Sequence, residues 1–116
     1  MNDIHSIISK LTQGRKALGE ANKELAKIGK EYAELRGETK KLMAIETYKA
    51  FTHGDTTGVA SGSQIVASGK NAELIGKYNK SKVQYETQKE VCKYITAQLT
   101  VLQTLRKQIE EEFKNS

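Results

Sequence analysis

The sequence predicts an all-α fold: a long antiparallel helical hairpin, coiled-coil-like, that self-associates into a four-helix bundle. Three observations carry that expectation. Two segments of nearly equal length repeat apolar residues every seven positions, a glycine-, serine- and threonine-rich stretch separates them, and none of the 116 residues is proline. Apolar rows at heptad spacing mark a helix that packs along a seam on another helix. Proline would remove a backbone donor and clash with the preceding turn, so its absence leaves both segments free to run on. A chain of this length makes one domain, here 1–116, with a helix over about 3–52, a connector over 53–69 and a helix over about 70–114.

In the first helix Leu11, Leu18, Leu25 and Tyr32 form one row at sevens, and Ala21, Ile28, Leu35 and Leu42 form a second, three residues on. These are the a and d positions of a heptad. Asp3 is placed to cap the free N–H groups at its start. Gly14, Gly19, Gly29 and Gly37 interrupt the segment, each costing ~1 kcal/mol against alanine.

In the second helix the rows are Tyr78, Tyr85, Cys92, Leu99, Arg106, Phe113 and Leu74, Ser81, Gln88, Ile95, Leu102, Ile109. In an antiparallel pair an a residue faces a d residue of the partner. Centring the turn near residue 60 makes Leu11 face Ile109, Leu18 face Leu102, Leu25 face Ile95 and Leu35 face Tyr85. The misfits then pair too: Thr39 with Ser81, and Gly14 with Arg106. Lys10 falls near Glu112 and Arg15 near Glu110 on the flanks, while Arg36 falls unfavourably near Lys89.

Apolar residues exceed what one seam uses. Val91, Tyr94, Val101 and Leu105 lie off the rows of the second helix, as do Ile8, Ile45, Tyr48 and Phe51 on the first. Such extra faces call for a partner. Dimerisation into a four-helix bundle supplies one, and a different protein would serve as well. Tyr94, Val101, Tyr48 and Phe51 are the candidate protein-binding residues.

The stretch "ASGSQIVASGKNAE", residues 60–73, runs from the connector into the second helix, and its Gly-Lys step invites comparison with a phosphate-binding loop. A Walker A loop needs glycine five residues before its Gly-Lys glycine and a hydroxyl residue after the lysine. This chain has Gln64 and Asn71 there, so a nucleotide site is not expected. Turn chemistry and a helix start explain the stretch, with Ser68 or Asn71 as cap and Glu73 in the first turn. Val59, Ile65 and Val66 around Ser61-Gly62 also suit a small β-hairpin.

The formal charge is +5, and it is spread over both helices rather than gathered in an arm. Mixed signs along a helix usually mark a solvated face. The densest basic stretch holds Lys70, Lys77, Lys80, Lys82, Lys89 and Lys93, opposed by Glu73, Glu86 and Glu90. These lysines are the candidate nucleic-acid-binding residues, for DNA or RNA phosphates. Tyr94, off the seam among them, suits base stacking.

No catalytic constellation is visible, so an enzyme is not expected. His5 and His53 have no metal-ligand spacing to another His or Cys, and neither a metal nor a cofactor is implied. Cys92 sits at a seam position and reads as a core thiol. Glu110, Glu111 and Glu112 read as a solvated helix end. No run nears the ~20 apolar residues of a membrane span. The start "MNDIHSIISKLTQ" lacks signal-peptide character, which with the single cysteine suggests the cytoplasm.

The stretches "EYAELRGETKKLMAIETYKAF" and "YETQKEVCKYITAQLTVLQTLRKQIEE" give the chain a layout that resembles small helical proteins of bacteriophage early regions. The resemblance implies a phage protein acting inside a bacterium, in DNA metabolism or against host defence. It carries no functional residue over. The reading that follows is a non-catalytic interaction protein that binds and modulates or inhibits a host nuclease or defence complex. The alternatives are a nucleic-acid-binding accessory protein of phage replication or recombination, and a virion or scaffold component.

Overall fold

The computed structural model describes residues 4–52 and 69–115, with side chains described over 4–49 and 71–115. The described residues form two helices, α1 (Ile4–Thr52, 49 residues) and α2 (Gly69–Asn115, 47 residues). The Asp3 and Ser68 caps, the β-hairpin expected around Ser61-Gly62, and His53 lie outside the described residues. Asn71 does not cap: α2 begins at Gly69, so Asn71 falls inside its first turn, where it is buried on the seam. Neither helix is long and apolar enough to cross a membrane among the described residues.

The chain divides into two compact units, each built from a stretch of both helices. Unit 1 comprises Met1–Ala26 and Glu86–Ser116, and unit 2 comprises Lys27–Tyr85. In each, the heptad rows are the buried or half-buried positions. Along α1 these include Leu11, Leu18, Leu25, Tyr32, Ala21, Ile28, Leu35 and Leu42, and along α2 every row residue but one. Phe113 is the exception, 83% exposed beyond the last packed layer.

Unit 1 is closed by aliphatic side chains. Ile7, Leu11 and Leu99 form its core, with Leu18, Ile95, Leu102, Leu105 and Ile109 packed around them. Burying such a side chain stabilises by about 1.5–3 kcal/mol relative to leaving it in water. Gln88 ties the helices together as well, its Nε2 donating to the Ala21 carbonyl at 3.0 Å.

Unit 2 is closed differently. The Tyr32 ring lies against both Tyr78 and Tyr85, with centroids 5.7 and 5.1 Å apart. Tilted aromatic pairs at that distance contribute about 0.5–1.5 kcal/mol beyond their buried area. The residues of this unit buried most completely are polar: Thr39, Asn71 and Ser81. The Thr39 and Ser81 hydroxyls are buried with no hydrogen-bond partner.

The pairing corrects the expected register by one heptad. Gly14 lies against Leu99, not Arg106: a Cβ added to it would sit 2.5 Å from Leu99 Cδ2. Arg106 instead pairs along its own helix, Nε to Glu110 Oε1 at 3.0 Å, so Glu110 is not Arg15's partner. Tyr85 packs on Gly29 and Tyr32 rather than on Leu35. The other pairs of the unshifted register, Lys10 with Glu112 and Thr39 with Ser81, go with it. The reason is that a seven-residue slip leaves the a/d pattern unchanged. Only the fit of individual layers chooses between the two pairings. Leucine over glycine fills a layer without a void, whereas arginine over glycine would draw a guanidinium into the seam.

Candidate functional site

The flanks of the seam are set by the same period. On α2, positions 91, 94, 98, 101 and 105 recur at alternating steps of three and four. They hold Val91, Tyr94, Gln98, Val101 and Leu105, a second stripe beside the first. Leu105 leans on the core of unit 1. Val91, Tyr94 and Val101 stay exposed at 40%, 65% and 59%, which for residues of this kind marks an unfilled face rather than scattered surface.

Beside this stripe the two helices of unit 1 enclose an open groove of about 630 Å³. From α1 it is lined by Lys10, Gln13, Gly14 and Ala17, and from α2 by Tyr94, Gln98 and Val101 above a floor of Ile95, Leu99 and Leu102. The small residues Gly14 and Ala17 keep the α1 wall low. Tyr94 is held at the rim by its neighbour one turn on: Gln98 Nε2 donates to the Tyr94 hydroxyl at 3.0 Å. The groove is therefore an apolar trough with a fixed aromatic edge and one cation, Lys10, at its side. It can bury an apolar partner surface. It has no nucleophile–base pair, and no group of three or more His, Cys, Asp or Glu able to hold a metal occurs among the described residues.

The structure brings Tyr94 and Val101 together on one face. Tyr48, 70% exposed, belongs to unit 2, and the side chain of Phe51 lies outside the described residues, as does that of Lys70. The remaining basic candidates divide. By helical period Lys77 and Lys80 fall on the same flank of α2 as Tyr94's stripe, one turn apart, while Lys82, Lys89 and Lys93 fall on the opposite flank, across the seam. Along their own helix Lys77 pairs with Glu73 at 3.5 Å and Lys93 with Glu90 at 3.3 Å. Cys92 is a free thiol buried in the seam, where its Sγ serves as packing volume.

Gln98 and Ala17 were not singled out from the sequence, and Gly14 and Lys10 were read there only as seam and flank positions in the unshifted register. The signal for Gln98 was present in its spacing between Tyr94 and Val101. The α1 wall depends on the register, and the heptad slip hid it.

No family profile, curated protein or solved structure matches this chain. The all-helical two-helix architecture has the form of a helical interaction module.

Proposed function

We propose that this is a non-catalytic helical interaction protein that docks a protein partner on the Tyr94–Val101 face of unit 1. The observation that supports the reading is the exposed apolar stripe beside an open apolar groove, with Tyr94 oriented by Gln98. An amphipathic helix laid into such a trough buries its own apolar face, the usual way a helical groove recognises a peptide. A rigid aromatic at the rim is the kind of residue on which binding energy concentrates. Either the helix of a second copy, giving a four-helix bundle, or that of a host protein meets this requirement. The sequence resemblance favours a phage protein working in the bacterial cytoplasm, where occupying a host nuclease or defence complex would modulate it without chemistry.

The test is capture from bacterial lysate, with nuclease treatment, using wild type and a Tyr94→Ala/Val101→Ser double variant. Both positions are exposed, so helicity should be unchanged by circular dichroism. A partner lost or weakened about tenfold or more supports the docking face, since anchor residues typically contribute 2 kcal/mol or more. Capture that ignores the double substitution removes the face from consideration. Sedimentation equilibrium at micromolar concentration reads self-association. A species at the monomer mass of 12.9 kDa would rule out the bundle and leave the face to a different protein.

A further inference from the structure

Unit 2 carries a second cleft whose chemistry is unlike the groove of unit 1. It is lined by Gly29, Tyr32, Ala33, Arg36, Gly37, Lys40 and Tyr85, with a volume of about 460 Å³. Its hollow comes from missing side chains. Gly29, Ala33 and Gly37 recur every fourth residue on one face of α1. At Gly37 an added Cβ would meet nothing within 4 Å, and at Gly29 it would lie 3.2 Å from Tyr85 Cε2. The tyrosine edge thus stands over bare backbone, with Arg36 and Lys40 beside it.

The charges of α1 there are segregated. By helical period its acids in this stretch, Glu31, Glu34 and Glu38, fall on the far flank. On the cleft's flank α1 presents Arg36 and Lys40, and α2 presents Lys82 with the acid Glu86 one turn on. Among the described residues the ion pairs of Lys49 with Glu46 and Lys77 with Glu73 involve none of the three cations. Arg36 and Lys40 are one helical turn apart, about 6 Å along the axis. Two like charges at that spacing destabilise an isolated helix slightly, and an anion laid across both relieves the repulsion.

We propose that this cleft binds single-stranded nucleic acid: Arg36 and Lys40 hold successive phosphates, and the Gly29–Gly37 trough beside the half-buried Tyr85 receives a base. A cationic track beside an aromatic is how proteins hold single strands without reading sequence. The guanidinium of Arg36 offers a forked donor to phosphate oxygens. The cleft is separate from the docking face and does not depend on it.

The experiment is a fluorescence-anisotropy titration of a labelled single strand of about 20 nucleotides at about 50 and 200 mM salt. Wild type is compared with Arg36→Gln/Lys40→Gln and with Lys77→Gln/Lys80→Gln on the opposite flank. All four residues are exposed, and circular dichroism checks that each variant folds. Two lost phosphate contacts should lower the log–log salt slope by about 1.4, at ~0.7 per single-strand phosphate. Binding at low salt should weaken tenfold or more, while the Lys77/Lys80 variant keeps the wild-type slope. Absence of wild-type binding at low salt overturns the proposal. So does an equal loss in both variants, which would mean that net charge alone governs binding.

Discussion

Unit 1 and unit 2 are cut from the same two helices and obey the same seven-residue repeat, yet they are closed by different chemistry. Unit 1 buries Ile7, Leu11 and Leu99, and Gln88 reaches across to bond the Ala21 carbonyl. Unit 2 leaves its large residues half-buried, stacks three tyrosines, and spends its most enclosed positions on Thr39, Asn71 and Ser81. The difference teaches that periodicity sets which faces meet, while residue identity sets how tightly they hold. It also separates the two candidate sites: an apolar groove sits on the aliphatic unit, and a cationic cleft on the tyrosine unit.

The sharpest way to break this comparison is truncation of a core leucine in each unit. Leu11→Ala should cost ~2–5 kcal/mol, because Leu11 is the most completely buried large side chain and its loss leaves a cavity. Leu35→Ala, half-buried in unit 2, should cost about half as much, since water already reaches part of it. Equal shifts in urea midpoint would remove the distinction between the units.

The polar seam of unit 2 should improve on substitution. Thr39→Val and Ser81→Ala each remove a buried hydroxyl without a partner. Thermal denaturation should show each variant more stable by ~1 kcal/mol, because the desolvation penalty disappears with the hydroxyl. A loss of stability in both would mean the hydroxyls are bonded in solution.

Glycine substitutions should split by what lies over each position. Gly37→Ala meets open space and should gain about 0.5–1 kcal/mol from helix propensity. Gly14→Ala forces a methyl onto Leu99, so overpacking of ~1–3 kcal/mol outweighs that gain. Opposite signs in the two melting shifts are expected, and the same sign would argue against close packing at Gly14. The smallest effect belongs to Glu110→Gln, which breaks an exposed pair with Arg106 worth no more than about 0.5 kcal/mol.

The sequence made the helices and the seam legible because each rests on a local rule repeated many times. The rows through Leu11 and Leu74 repeat often enough to outvote Gly14, Ser81 and Arg106. Register was not legible, because a shift by seven preserves every a and d assignment. The contact that decides it, Gly14 with Leu99, is a matter of shape between residues far apart in sequence. Of the proposed docking face, Tyr94 and Val101 could be picked out because they break the seam pattern. Its α1 wall and the Arg36–Lys40 cleft could not, since small residues and isolated cations stand out only when the opposing helix is in place.

The fit of Leu99 over Gly14 bears on how the chain folds. A hairpin slipped by seven residues satisfies the same hydrophobic pattern, so it is a near-degenerate competitor that can be left only by unzipping the pair. Natural sequences avoid such traps by making native contacts mutually supportive, and here one bare backbone position serves as the notch that admits a single pairing. Wild type should therefore refold in a single exponential phase in stopped-flow measurements, whereas Gly14→Ala should add a slow phase as misaligned hairpins open and re-form. One glycine then governs kinetic fidelity out of proportion to its share of the stability.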